Sequence, residues 1–349
     1  MEEASPFQTH EYQRRRFDRI GRKLAFTAET PQAWRRWRQR TIRKLRELIG
    51  YDTFQAAPLR AKITEEVEHD GCRRQRVEIQ TEPGVFMPLY VLIPAGASGR
   101  LPAVIAPHGH SSGGKLAVAG CREMVEVSRT IDEHNYAYGL QFARAGFITF
   151  CPDARGFGER QEAAMKGNIL ASSCHMLNAR AFPLGQTVTG MWTWDLHRLI
   201  DYVQSRKDCD ANRIGCAGLS GGGLQTLWTT ALDGRIKCAV ISGYMYGFKQ
   251  SLLDLVCCWC NYVPHLYEHV DMGDIAALIA PRPLLIETGT RDNLNGAGGL
   301  RNVRSQVSII RRAYRLLGAG GMLKHDVFDG PHMWRGVEAV PWMQRHLGQ

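Results

Sequence analysis

One stretch limits the fold of this chain more than any other. Arg213-Ile214-Gly215-Cys216-Ala217-Gly218-Leu219-Ser220-Gly221-Gly222-Gly223-Leu224 reads as an apolar run, a turn too tight for ordinary side chains, and a helix start. Residues 214–217 have the continuous apolar character of a strand covered on both faces. Past the glycines, Leu224, Leu227, Trp228 and Ala231 fall at i, i+3, i+4 and i+7, one buried helical face. Ser220 therefore sits at the tip of a strand–turn–helix, where strained backbone requires small neighbours. Gly218-Leu219-Ser220-Gly221-Gly222 is the G-x-S-x-G pattern of a nucleophile elbow. The Gly221 amide, opening the helix, is aimed at the same spot as the hydroxyl. No Gly-Lys-Ser/Thr follows, so a phosphate-binding P-loop is excluded.

The surrounding chain repeats the alternation that this turn requires. Apolar runs at 103–106, 147–151, 214–217, 238–242 and 284–288 are expected as parallel strands, separated by helical patterns at 136–144, 192–204, 224–232 and 307–317. A strand at 323–328 precedes a C-terminal helix over about 336–346. Upstream, 76–80 and 85–93 alternate around Gly84 and are expected as an antiparallel pair. Strand–helix alternation on this scale predicts an α/β fold with a doubly wound, mostly parallel sheet. Residues 63–349 are expected as a single domain, with insertions at 111–135, 160–190 and 244–274, the last forming a partial helical cap.

Residues 1–62 are expected as a helical extension packed on that core. Trp34, Trp37, Thr41, Leu45 and Leu48 form one stripe, with Thr30-Pro31 as N-cap and first turn and Gly50 as a stop. Charge concentrates here: of a net +10, residues 1–50 contribute 13 Lys/Arg against 6 Asp/Glu. The arginines cover the solvent face of an amphipathic helix, so neither nucleic acid nor a membrane is expected as a partner. Residues 1–30 lack the apolar segment of a signal peptide, and 214–232 is too glycine-rich and polar to span a bilayer. Ten cysteines without dense spacing fit reduced thiols in a cytoplasmic protein. Cys257-Cys258-Trp259-Cys260 suggests a metal cluster, but adjacent cysteines serve one ion poorly and no matching ligand pair lies nearby in sequence. Buried thiols and no metal are expected.

A serine hydroxyl is a weak nucleophile near neutral pH and needs a base, itself oriented by a third group. After an elbow of this kind, an acid and then a histidine follow along the chain. Asp292, just past the 284–288 strand, is the expected acid, with Asp271 and Asp274 as alternatives. His332, between the last strand and the terminal helix, is the expected base, and His325 its rival within the strand. Two backbone donors are needed for an oxyanion. Gly221 supplies one, and His110, in Pro107-His108-Gly109-His110 after the 103–106 strand, is expected to supply the other. Of Trp192, Trp194, Trp259 and Trp334, only Trp334, two positions after His332, is placed near the pocket as a substrate contact.

The combined pattern resembles the α/β-hydrolase superfamily and, within it, acetyl xylan esterases and dienelactone-hydrolase-like esterases. The resemblance is carried by His108-Gly109-His110, Asp153-Ala154-Arg155-Gly156-Phe157-Gly158, Gly218–Gly223, Ala280-Pro281-Arg282-Pro283-Leu284-Leu285, Asp292 and His332, over about residues 65–345. It implies a serine esterase acting on a carbohydrate or small-molecule ester, acetyl esters among them, through an acyl-enzyme, with no cofactor. Asp153 and Arg155 are expected to pair and brace the loop beside the site. His110 stands where such deacetylases often carry an aromatic residue, and Ser220 where dienelactone hydrolases carry cysteine. A prolyl-oligopeptidase-like peptidase is the alternative enzyme, although 62 helical residues cannot make the propeller such peptidases carry. A binding protein on a hydrolase fold is the non-catalytic alternative. A homo-oligomer is compatible with all of these readings.

Overall fold

Gly84, at φ +77°, turns the chain between two alternating runs. That turn sets the antiparallel edge of a nine-stranded sheet in a computed structural model describing residues 7–348. β1 (Lys62–His69), β2 (Cys72–Glu82) and β3 (Val85–Pro94) form this edge. β4 (Leu101–Ile105), β5 (Ile148–Pro152), β6 (Cys209–Leu219), β7 (Ile236–Ser242), β8 (Leu284–Gly289) and β9 (Leu323–Phe328) are mutually parallel. The spatial order is β1-β2-β3-β5-β4-β6-β7-β8-β9, with β3 antiparallel to β5.

The strands lie where the apolar runs place them because those runs are buried on both faces. β5 and β8 expose no residue, and β4 only partly exposes its first. Val104, Ala217, Val240 and Leu285 point to one face. Ala103, Ile105, Ile214 and Cys216 point to the other, as do Ala239 and Ile286 farther along the sheet. Alternation of side chains sends successive residues into opposite layers, so each face needs a helical cover.

α1 (His10–Ile20) and α2 (Pro31–Leu48) precede the sheet. Thr30 Oγ1 accepts from the Ala33 amide at 3.1 Å, and Trp34, Trp37, Thr41 and Leu45 are buried. Leu48, the last member of the expected stripe, is half-buried at the helix end. The arginines of this region are partly spent internally: Arg14 reaches Asp254 at 3.0 Å and Arg22 reaches Asp274 at 3.1 Å. α3 (Lys115–Val118), α4 (Val125–His134) and α5 (Tyr138–Arg144) cover one face. α6 (Cys174–Ala181), α7 (Val188–Ser205), α8 (Gly221–Leu232), α9 (Met272–Ala277) and α10 (Leu300–Leu316) lie over the other. α11 (Ala339–Leu347) returns to the first. Among the described residues no helix is long and apolar enough to cross a membrane.

Two helix starts need correction. α7 starts at Val188 rather than 192, because Thr187 Oγ1 caps it by accepting from the Gly190 amide at 2.9 Å. α10 starts at Leu300 rather than 307. Asn302 and Gln306 are polar yet buried, bonded to the amides of Gly247 and Gly273, which hides the apolar periodicity. The partial cap expected over 244–274 is built of short helical pieces, a π-helical stretch at Lys249–Leu253 and 3-10 turns at Trp259–Asn261 and Leu266–Glu268, before α9 begins.

Candidate active site

The site is assembled at the carboxyl ends of the parallel strands, where loops from neighbouring strands converge. Ser220 leaves β6 with φ 60° and ψ −120°, a left-handed backbone that a non-glycine residue adopts only under constraint. The constraint is close packing. A Cβ on Gly222 would lie 2.2 Å from the Pro107 carbonyl oxygen, and one on Gly218 would lie 2.5 Å from the Gly222 carbonyl carbon. The Ser220 amide donates to the Ser242 carbonyl on β7 at 2.9 Å, which ties the tip to the sheet.

Asp292 follows β8 and His332 follows β9. Asp292 Oδ2 lies 2.7 Å from His332 Nδ1, with the carboxylate 2% exposed and the imidazole 26% exposed. The other carboxylate oxygen, Oδ1, accepts from the Leu294 amide at 2.9 Å, fixing the side chain. The His332 loop is held by α4: His134 Nδ1 contacts the His332 carbonyl at 2.9 Å and the Trp334 amide donates to the His134 carbonyl at 3.0 Å. Gly243, past β7, makes room for the ring, since a Cβ there would lie 2.9 Å from His332 Cε1.

Ser220, Gly221, Asp292, His332 and His110 line one pocket of about 520 Å³. Among the described residues Ser220 and His332 make no direct hydrogen bond, a looseness common before substrate binds. Gly221 is the first helical residue and its amide has no intrahelical acceptor. The His110 amide likewise donates to no protein acceptor among the described residues. The His110 turn is braced from behind. His108 Nε2 accepts from the Ala154 amide at 3.1 Å, and burial pushes the His108 pKa down to about 4, leaving it a neutral acceptor. Gln225 donates to the His108 carbonyl at 2.8 Å, and Tyr136 to the His110 carbonyl at 3.1 Å.

The rival residues lie elsewhere. Asp271 and Asp274 form the capping box of α9, and Asp274 also accepts from the Phe26 amide at 2.9 Å. His325 stays in β9, 3.1 Å from Thr288 Oγ1. Trp334 is a correction: its ring is fully buried, stacked on Tyr138 at 4.6 Å, and lines no part of the pocket. Asp153 and Arg155 are another, for they do not pair with each other. Asp153 accepts from Lys115 Nζ at 2.6 Å and from the Lys115 amide at 2.7 Å. Arg155 instead meets Asp195 at 2.8 Å and Glu82 at 2.7 Å.

Sequence reasoning overlooked His134, Tyr136, Tyr244, Tyr246 and Asn261, all on the pocket wall. They come from the connections 111–135 and 244–274 or their flanks, so loop length was the available signal. Of the thiols at 257–260, all expected to be buried, Cys260 is buried while Cys257 and Cys258 are half-buried. The partners absent from the local sequence arrive from a distance: His110, Cys174, Cys258 and Cys260 place their ligand atoms within 4.8 Å of one another.

The model of the Abhydrolase family matches residues 14–250. The chain is 31% identical over 268 residues to YtaP of Bacillus subtilis (strain 168), named as a hydrolase, covering 74% of this chain and 83% of that protein. A Bacteroides fragilis structure described as an acetyl xylan esterase superposes with a TM-score of 0.83 at 16% identity, over 100% of this chain and 97% of that one. A glucuronoyl esterase from Solibacter usitatus gives a TM-score of 0.67 at 17% identity, over 92% of this chain and 98% of that one.

Proposed function

This chain belongs to the Abhydrolase family and has its fold, and we propose that it is a serine esterase acting on carboxylic esters of carbohydrates or small molecules. One observation carries this reading. A serine at a positive-φ elbow, an imidazole bonded to a buried carboxylate, and two unengaged amides surround one pocket. That set is what acyl transfer requires.

In this reading Ser220 Oγ attacks the ester carbonyl while His332 Nε2 takes its proton. Asp292 holds the proton on Nδ1 and stabilises the imidazolium that forms. The carbonyl oxygen, now an oxyanion, is received by the amides of Gly221 and His110. His332 then protonates the departing alcohol, leaving an acyl group on Ser220. Water, deprotonated by the same imidazole, releases the acid and restores the hydroxyl. Every step uses side chains and backbone already present, so no cofactor enters it.

The folds of the acetyl xylan and glucuronoyl esterases named above support a carbohydrate ester as the substrate class. The walls suit a ring with an acyl substituent, since Tyr136, Tyr244 and Tyr246 supply aromatic surface. A peptidase reading is less well supported, because the described residues before β1 form α1, α2 and a short 3-10 turn and contain no propeller blade. The deciding experiment is a panel of acetyl, butyryl and feruloyl esters, acetylated xylo-oligosaccharides, glucuronoyl methyl esters and aminoacyl anilides. It is run beside intact-mass detection of a fluorophosphonate adduct on Ser220. Ester turnover with labelling is expected. Anilide turnover with labelling would favour the peptidase, and neither turnover nor labelling would favour a binding protein.

A further inference from the structure

Four ligand-type side chains from three separate segments meet at the pocket wall, which His110 and Cys258 themselves line. His110 follows β4, Cys174 opens α6, and in the 244–274 connection Cys258 precedes the short turn Trp259–Asn261 that contains Cys260. Their four ligand atoms all lie within 4.8 Å of one another, and His110 Nε2 is 3.4 Å from Cys260 Sγ. A tetrahedral zinc, with Zn–S near 2.3 Å and Zn–N near 2.0 Å, holds its ligand atoms roughly 3.5–3.8 Å apart. Closing around such an ion therefore asks for a contraction of at most about 1 Å.

The backbone around these thiols is held from outside. Thr189 Oγ1 donates to the Cys260 carbonyl at 2.6 Å, Asn178 to the Trp259 carbonyl at 2.8 Å, and Asn261 to the Cys258 carbonyl at 2.9 Å. Asn261 Nδ2 also lies 3.6 Å from Cys260 Sγ, the kind of N–H contact that steadies a thiolate ligand. Three sulfurs sharing a pocket are explained by apolar packing alone. An imidazole nitrogen directed among them, with the segment that carries two of them bonded in place, is not.

We propose that His110, Cys174, Cys258 and Cys260 bind one thiophilic divalent cation of the zinc class in a structural Cys₃His site. With four protein ligands the ion keeps no open position, so it activates no water. Binding forms three metal–sulfur bonds and one metal–nitrogen bond and releases three thiol protons to solvent, with no change in oxidation state. The ion clasps α6 and the 244–274 connection to the His110 turn. Because Nε2 is then a ligand, the ring proton sits on Nδ1, the atom facing Gly221, where an added Cβ would lie 2.9 Å away. The site thus anchors one wall of the pocket. It stands apart from the esterase reading, since its occupancy is counted without substrate.

The test uses the full chain, purified under reducing conditions without chelator from zinc-supplemented cells. Elemental analysis is expected to find about one zinc per chain, and Cys174→Ser or Cys258→Ser to hold less than about a tenth of that. Cys257→Ser, which removes a thiol outside the cluster, should keep the full complement. Should the serine variants fail to fold, the wild-type apoprotein is titrated with Co(II). Thiolate-to-cobalt charge transfer and intense tetrahedral d–d bands, saturating at one equivalent, are expected. Wild-type protein that takes up neither zinc nor cobalt after full reduction would overturn the proposal. So would a Cys258→Ser variant that binds as much as the wild type.

Discussion

Asp292 Oδ2 and His332 Nδ1 stand 2.7 Å apart although they leave different strands, β8 and β9. The carboxylate is nearly sealed from solvent and has one remaining oxygen tied to a backbone amide. Its part in the proposed reaction is therefore to fix the imidazole tautomer. Asp292→Asn should reduce kcat by about 10⁴ with little change in KM, because the wrong ring nitrogen then carries the proton. Asp271→Asn and Asp274→Asn should leave kcat within a few-fold and lower thermal stability instead, since both carboxylates cap α9. Initial rates on a short acyl ester separate the outcomes, and a nearly active Asp292→Asn would remove it from the mechanism.

Ser220→Ala removes the nucleophile and leaves the elbow's backbone in place. Turnover should fall by about 10⁶, as it does when one member of a cooperating set is deleted. The melting temperature should hold, because alanine occupies the same positive-φ position and Ser220 is only half-buried at the pocket wall. Loss of fluorophosphonate labelling by intact mass is the accompanying readout. Labelling that persists would place the reactive hydroxyl elsewhere.

The elbow's glycines are spatial requirements. A methyl group on Gly222 would meet the Pro107 carbonyl oxygen at 2.2 Å and the Tyr138 hydroxyl at 3.0 Å, and Tyr138 itself donates to that carbonyl. Backbone cannot yield as a flexible side chain would, so Gly222→Ala should cost about 1–3 kcal/mol. It should also lower kcat by displacing the His110 turn. Denaturant titration measures the first effect. An unchanged midpoint would show that the strand–helix approach is looser than these distances.

The parts of this molecule that were legible in its sequence are those governed by local periodicity and chain order. The parallel strands and the α2 cap at Thr30 are of this kind, as are the positions of Ser220, Asp292 and His332 just past β6, β8 and β9 at one pocket. What escaped was set by three-dimensional satisfaction of polar groups. Asn302 and Gln306 are buried because they bond the amides of Gly247 and Gly273, and no pattern of apolar residues announces that. Asp153 finds Lys115 rather than Arg155 because the 111–135 connection folds back over β5. Trp334 is close to His332 along the chain, yet its ring is buried and stacks on Tyr138, and it does not line the pocket. The thiols at 258 and 260 find their partners 84 and 150 residues back, at Cys174 and His110 (258 − 174 and 260 − 110).

The Lys115–Asp153 pair gives a stability prediction. Lys115 is 3% and Asp153 0% exposed, and Glu159 adds a second carboxylate to the ammonium. Asp153→Ala leaves a buried ammonium with half its partners and frees the amides of Lys115 and Glu159. Breaking such a pair costs about 3–5 kcal/mol. The double variant Asp153→Ala with Lys115→Met should recover part of that loss, because it removes the stranded charge. If the single variant is as stable as wild type, water reaches the pair and the ion pair contributes little.

Glu287 on β8 gives the fold a pH dependence. Burial, aided by the nearby Asp326 charge, raises its pKa to about 7, although the Gly336 amide at 3.0 Å opposes the shift. Its ordinary value of 4.5 applies once the chain unfolds. Between pH 4.5 and about 7 the folded protein keeps a proton that the unfolded chain has lost. Stability is thus full below the unfolded value and falls as pH rises through that window, levelling off above it. The ceiling on this loss is about 3 kcal/mol, at about 1.4 kcal/mol per pKa unit. Glu287→Gln keeps an acceptor for Gly336 and cannot ionise, so it should be the more stable form at pH 8 and show a flatter profile from pH 5 to 8. Denaturant unfolding of both proteins at pH 5 and pH 8 measures the difference. Parallel profiles would mean that Glu287 ionises in the folded state as it does in water.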